Sequence, residues 1–247
     1  MVNMTTITKM QEMKLSTMAA AFQNQLEDPA FQTLSFEERV GLMIDQEWTT
    51  RKNNHMNRLM KGAGFSVPGA CVENIDYVPE RKLDKNLITT LSTCNYIREH
   101  HNVILLGPTG SGKTYIGCAL GVSAVRNFMK VKYVRLPELL TELAIARASN
   151  TFPKVIQQYQ KVTLLILDEW LLYPLKETET RDLLEIIEAR YQRSSTIFCS
   201  QFDVPGWHDK FSSPLIADAI CDRIAHDSYR ILIESTESMR KRNGVKS

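Results

Sequence analysis

Residues 103–114 read Val-Ile-Leu-Leu-Gly-Pro-Thr-Gly-Ser-Gly-Lys-Thr, and this stretch decides the fold. An apolar run ends in Gly-x-x-x-x-Gly-Lys-Thr, and an apolar-periodic stretch over residues 115–125 follows at once. Strand before and helix after are the setting that this phosphate-cradling loop requires. Gly107, Gly110 and Gly112 let the backbone curl so that several N–H groups point at a β-phosphate. The helix that follows presents its positive end to the same anion. Lys113 reaches the β- and γ-phosphates, and the Thr114 hydroxyl ligates Mg²⁺. The expected nucleotide contacts run from Gly107 through Pro108, Thr109, Gly110, Ser111, Gly112, Lys113 and Thr114 to Tyr115. The ligands they imply are ATP and Mg²⁺.

Residues 163–169, Thr-Leu-Leu-Ile-Leu-Asp-Glu, form a second element. A short apolar run with polar ends suits a parallel strand buried on both faces. It ends in two carboxylates at the strand's C-terminal edge, where ligands bind in open α/β sheets. Asp168 is placed to hold the Mg²⁺ shell, and Glu169 to orient and polarise the attacking water. A kinase acting on a small hydroxyl has less need of the second acid.

The 247 residues allow one sizeable α/β domain with a smaller appendage. No run approaches the length of a membrane-spanning helix, and the N-terminus has no apolar signal core. Five cysteines are scattered without a Cys-x-x-Cys pair, and five histidines show no metal spacing. Cytoplasmic residence without a membrane partner is the expectation. The net charge of +2 does not announce a nucleic-acid binder, but its distribution is uneven. Residues 48–61 hold Arg51, Lys52, Arg58 and Lys61 with no acid, and in a helix Arg51, His55, Arg58 and Lys61 fall near one face. The tail adds Arg240, Lys241, Arg242 and Lys246. Both clusters read equally as phosphate contacts or as solvated surface.

Before Gly62 the sequence reads as all-helical. Ile7, Met10, Leu15, Met18, Phe22 and Leu26 suggest one amphipathic helix ending at Asp28-Pro29. Ser35-Phe36-Glu37-Glu38 is a capping box that opens a second, with Val40, Met43, Ile44 and Trp48 as its buried stripe. Residues 62–69, Gly-Ala-Gly-Phe-Ser-Val-Pro-Gly, read as a linker. The expected division is a helical DNA-binding and assembly domain over 1–66 and an ATPase domain over 67–247. From residue 102 onward strands and helices alternate: strands at 102–106, 131–136, 163–169, 195–200 and 229–233, with helices at 113–126, from 137, at 178–191 and at 217–224. That alternation implies a parallel sheet covered on both faces.

The core resembles P-loop ATPases of the AAA+ superfamily, and within them the IstB/DnaC group. Residues 181–196, Arg-Asp-Leu-Leu-Glu-Ile-Ile-Glu-Ala-Arg-Tyr-Gln-Arg-Ser-Ser-Thr, with Ser200-Gln201, resemble IstB-like transposition helper proteins closely. So do residues 216–224, Ile-Ala-Asp-Ala-Ile-Cys-Asp-Arg-Ile, residues 237–241, Glu-Ser-Met-Arg-Lys, and the lead-in Glu-Asn-Ile-Asp-Tyr-Val-Pro at 73–79. The resemblance implies that Gln201 is a first sensor near the γ-phosphate, although many relatives carry Asn there. It implies that Arg223 is an arginine finger entering a neighbouring subunit's site, against the simpler reading of an intrachain pair with an acid such as Asp227. Arg240 resembles a second sensor and equally belongs to the basic tail. No helical lid follows Ile233, so the adenine falls to the lead-in, with Ile75 and Tyr77 as candidates, and to the neighbouring subunit.

The function implied is an ATP-dependent oligomer that grips double-stranded DNA and assists a transposase. A helicase loader of the DnaC kind shares almost every core motif and stands as the alternative. A small-molecule kinase and a DNA-binding module with an inert nucleotide site fit less well, given Lys113, Thr114, Asp168 and Glu169 together.

Overall fold

The structure is a computed structural model that describes residues 2–234. Arg240 and the rest of the basic tail lie outside the described residues. The chain forms two compact units, Met1–Arg58 and Leu59–Ser247.

The first unit is helical: α1 (Val2–Glu12), α2 (Ser16–Glu27), a 3-10 turn at Pro29–Thr33, and α3 (Phe36–Ala63), which runs on into the second unit. The single helix expected over residues 7–26 is two helices. Lys14 adopts φ 60°, Leu15 N–H donates to the Met10 carbonyl at 2.8 Å and Lys14 N–H to that of Gln11 at 2.9 Å. Those two bonds close α1, with a lysine where a glycine would have announced the stop. The capping box is formed: Ser35 N–H donates to Glu38 Oε2 at 2.7 Å, and Glu38 N–H to Ser35 Oγ at 3.3 Å.

The buried stripe of α3 differs from the expectation. Met43 is buried, but Ile44 and Trp48 are 51% and 57% exposed, and Glu47 takes an inward position at 8% exposed. The reason is a polar tie. Glu47 Oε2 accepts from Met18 N–H in the first turn of α2 at 2.9 Å, and Oε1 from Arg51 Nε at 2.6 Å. Arg51 also donates to the Lys14 carbonyl. The Arg51 hydrogen bond holds the Glu47 carboxyl below its ordinary pKa, against the opposing effect of burial. Arg51 therefore fastens the α1–α2 corner to α3.

Residues 64–70 follow the end of α3 in the second unit. The linker expected over 62–69 is instead packed at its start: Ala63 ends α3 buried, and Phe65 is buried after it. A Cβ on Gly121 would lie 2.6 Å from the Phe65 ring, so that glycine makes room for it. Then come α4 (Lys85–Ser92), capped by Asp84, and α5 (Asn95–Arg98). The alternating core follows: β1 (Asn102–Leu106), α6 (Lys113–Arg126), β2 (Val131–Arg135), α7 (Leu136–Ala148), α8 (Phe152–Gln160), β3 (Leu164–Trp170), α9 (Glu177–Arg190), β4 (Ser195–Ser200), α10 (Val204–His208), α11 (Pro214–Ala225) and β5 (Ser228–Leu232). The short helices α4, α5, α8 and α10 carry no pattern long enough to be read from sequence.

The five strands are all parallel in the order β2-β3-β4-β1-β5. Val103, Ile104 and Leu105 and residues 164–167 are wholly buried, as the continuous apolar runs require. Each such side chain contributes about 2 kcal/mol by burial. Trp170 packs edge-on against Phe198 at 4.8 Å and Trp207 at 5.9 Å. Arg190 is buried and donates to the Tyr159, Val162 and Ser195 carbonyls, locking the strand entries. Burial pulls its pKa down to about 9.

Candidate functional site

The loop leaves β1 at Gly107, where a Cβ would lie 2.5 Å from the Ile233 carbonyl oxygen. It re-enters helix at Gly112, with φ +95°, where a Cβ would lie 2.7 Å from Arg81 Nη2. Both positions therefore demand glycine. Lys113 begins α6 and is 9% exposed. Its Nζ donates to the Gly107 and Pro108 carbonyls at 2.7 and 2.8 Å. Burial pulls its pKa down, opposed by Cys199 and Asp168. The Ser111 hydroxyl is buried with no hydrogen-bond partner among the described residues. The first N–H groups of α6 have no partner within the helix and face the loop. A cationic Nζ, an orphaned hydroxyl and a helix N-terminus around a glycine cradle fit a polyphosphate.

The carboxylates meet the loop at a bulge. Leu167 pairs with Phe198 and Trp170 with Ser200, so β3 takes three steps against two in β4. The extra residue falls at Asp168-Glu169, and Glu169 sits at φ 54°. Asp168, 5% exposed, stays inside. Its Oδ2 accepts from Thr114 Oγ1 and from the Tyr133 hydroxyl, each at 2.8 Å, and its Oδ1 from Glu169 N–H at 2.9 Å. The bulge turns Glu169 outward, where Arg135 Nη2 donates to both carboxylate oxygens at 2.8 Å. Thr114 and Asp168 present adjacent hard oxygens, a donor set that fits Mg²⁺. A cavity of about 610 Å³ opens beside them, lined by Ser66, Lys113, Thr114, Tyr133 and both acids, among others.

The sequence-predicted residues separate into those the fold gathers and those it does not. Gly110, Lys113, Thr114, Asp168, Glu169 and Gln201 share a small cavity of about 70 Å³ with Thr109. Tyr115 lines the larger cavity with Gly112 and Lys113, and its hydroxyl lies 3.4 Å from the Cys71 backbone. Ile75 and Tyr77 line a different cavity with Arg126 and Asn127, at the far end of α6. Asp76, between them, is tied to the loop through Arg81, which donates to the Asp76 carbonyl and to the Ser111 carbonyl. Arg223 lies beside Asn102, at the opposite end of β1 from the loop. It bonds the Ala219 carbonyl at 2.7 Å and Glu188 at 3.3 Å. Its acid is Glu188 rather than Asp227, which instead contacts His226.

Three residues were not read from the sequence. Tyr133 and Arg135 sit two apart on β2, facing the end of β3. Their signal is a polar pair at the end of a strand beside the acidic one. Arg81, 4% exposed, donates to the Ser111 carbonyl at 2.8 Å from beneath the loop. It gives no local signal, because the contact spans 30 positions.

Comparison with known proteins matches residues 8–247 to the family described as IstB-like ATP binding protein. The chain belongs to that family. It is a P-loop ATPase built on a five-stranded parallel sheet. An insertion sequence ATP-binding protein of Sinorhizobium fredii, y4pL, is 39% identical over 98% of this chain and 98% of its own. The insertion sequence IS1162 ATP-binding protein of Pseudomonas fluorescens is 42% identical over 79% of this chain and 85% of its own. Among solved structures, DnaI gives a TM-score of 0.59 at 19% identity, covering 72% of this chain and 93% of that one. A DNA replication initiation factor also gives 0.59, at 20% identity, over 71% of this chain and 52% of its own length. At such identities the likeness is one of fold. Among the described residues of this IstB-like chain, no helix is long and apolar enough to cross a membrane, and all five cysteines are free.

Proposed function

We propose that this IstB-like chain is a cytoplasmic helper ATPase that assembles with ATP, binds double-stranded DNA and stimulates a transposase. The observation that carries the reading is the gathered set Lys113, Thr114, Asp168, Glu169 and Gln201, in a chain whose relatives along its whole length are insertion sequence proteins. The same relatives favour it over a helicase loader of the DnaC kind.

In this reading Lys113 gives up its two carbonyl contacts for the β- and γ-phosphates, recovering the charge that burial disfavours. Thr114 and Asp168 hold Mg²⁺, and Mg²⁺ when bound neutralises charge on the phosphate oxygens. Glu169 releases Arg135 and orients the attacking water. Gln201 reaches the γ-phosphate from the end of β4. Arg223 completes a neighbour's site. Exposed Arg58 and Lys61 on α3 hold DNA phosphates without reading bases.

The test is Glu169→Gln. The change removes water orientation and leaves the loop intact, so ATP should bind as in the wild type while phosphate release falls at least about 100-fold. The trapped ATP form should still recruit transposase to DNA. Hydrolysis at the wild-type rate would remove Glu169 from that role.

A further inference from the structure

Tyr133 is the group nearest the metal-binding pair that the mechanism above leaves unused. Its position follows from the sheet. β2 lies beside β3 with Tyr133 opposite Ile166 and Arg135 opposite Asp168, so Tyr133 stands two pairs before Asp168. A phenol is long enough to span that step. The side chain is 7% exposed, and its hydroxyl donates to Asp168 Oδ2 at 2.8 Å. Thr114 Oγ1 donates to the same oxygen at the same distance, and Glu169 N–H holds the other oxygen at 2.9 Å. Three donors fix one carboxylate rotamer. Of these, the backbone N–H cannot be removed, and Thr114 is itself a metal ligand in the proposed mechanism. Among the described residues, Tyr133 is thus the one side-chain donor to this carboxylate that is not itself a proposed metal ligand.

We propose that Tyr133 is a positioning residue that holds the Asp168 carboxylate in its metal-binding orientation and so sets the Mg²⁺ requirement for nucleotide binding. The inference rests on the reading of Asp168 as the metal-holding acid. Loss of such a supporting hydrogen bond lowers metal affinity by about 10-fold or more in other metal sites. Tyr133→Phe keeps the ring and its packing and deletes the hydroxyl alone.

The experiment titrates a fluorescent, non-hydrolysable ATP analogue onto the full chain, first in a chelator and then across a Mg²⁺ series. With Tyr133→Phe, the affinity in chelator should match the wild type, and the Mg²⁺ concentration for half-maximal enhancement should rise about 10-fold. Asp168→Asn should abolish the Mg²⁺ enhancement. The nucleotide-free melting temperature of Tyr133→Phe should lie within about 4 °C of the wild type. A Mg²⁺ requirement unchanged by Tyr133→Phe, with Asp168→Asn still abolishing the enhancement, overturns the role of Tyr133 alone. An enhancement that survives Asp168→Asn overturns the reading of Asp168 beneath it. Equal loss of affinity in chelator and in Mg²⁺ marks Tyr133 as structural and also overturns the proposal.

Discussion

Glu169 is held by a guanidinium on the neighbouring strand. Both of its carboxylate oxygens accept from Arg135 Nη2 at 2.8 Å, and the Arg135 side chain is 46% exposed. The pair fixes the carboxylate on Arg135, so Glu169 has to release it to orient an attacking water in the proposed reaction. An exposed pair of this kind is worth at most about 1 kcal/mol, so it is a brake of modest depth. Arg135→Ala should therefore raise the basal phosphate-release rate of the isolated chain by about 3- to 5-fold, since about 1 kcal/mol corresponds to that factor. Nucleotide affinity should stay unchanged. A rate that falls instead would show that Arg135 helps the reaction rather than restraining it. Much of this site is written in short contiguous runs, the loop at 107–114 and the acids at 168–169, and those are legible because chain neighbours share the ligand. Arg135, Tyr133 and Arg81 act across strands or across 30 positions of chain, and only the folded register brings them in.

At the level of elements, α3 carries its basic residues in two different settings. Arg51 and Arg58 look alike in sequence, two helical turns apart. In the fold Arg51 is bound to Glu47 and to the Lys14 carbonyl, whereas Arg58 and Lys61 are exposed one turn apart. If the latter pair hold DNA phosphates, Arg58→Ala and Lys61→Ala should each weaken binding equally for any duplex sequence. Each should also lower the slope of log K against log salt by about 0.9. Arg51→Ala should instead loosen the α1–α2 corner and lower the unfolding temperature. A double Arg58→Ala, Lys61→Ala protein with unchanged affinity and slope would move DNA binding elsewhere. The strands and long core helices are legible because buried parallel strands are continuously apolar and need no register. The break at Lys14 and the inward Glu47 are not, because a lysine in the left-handed region and a buried acid both run against their own preferences, and long-range hydrogen bonds decide them.

For the molecule as a whole, the question is what Arg223 faces. Within its own chain it cannot reach the loop: it stands beside Asn102, on the order of 15 Å along β1 from Gly107. Its pair with Glu188 is long at 3.3 Å and partly exposed, so releasing it costs little. These facts leave Arg223 two roles, a surface tie between α11 and α9 or a finger for a neighbouring copy in the proposed oligomer. The two differ in a mixing experiment. Arg223→Ala protein has an intact loop but no finger, and Lys113→Ala protein has a finger but no working loop. Each alone should hydrolyse ATP poorly, because an arginine finger supplies about 1,000-fold or more in related reactions. In randomly mixed oligomers from equal amounts, about one interface in four pairs the intact loop with the intact finger. Phosphate release should then recover to about a quarter of the wild-type rate, and should vanish again on dilution below the assembly concentration. If mixed oligomers form by sedimentation and no activity returns, Arg223 is a tie within its own chain, and the neighbour must complete the site with a different cation.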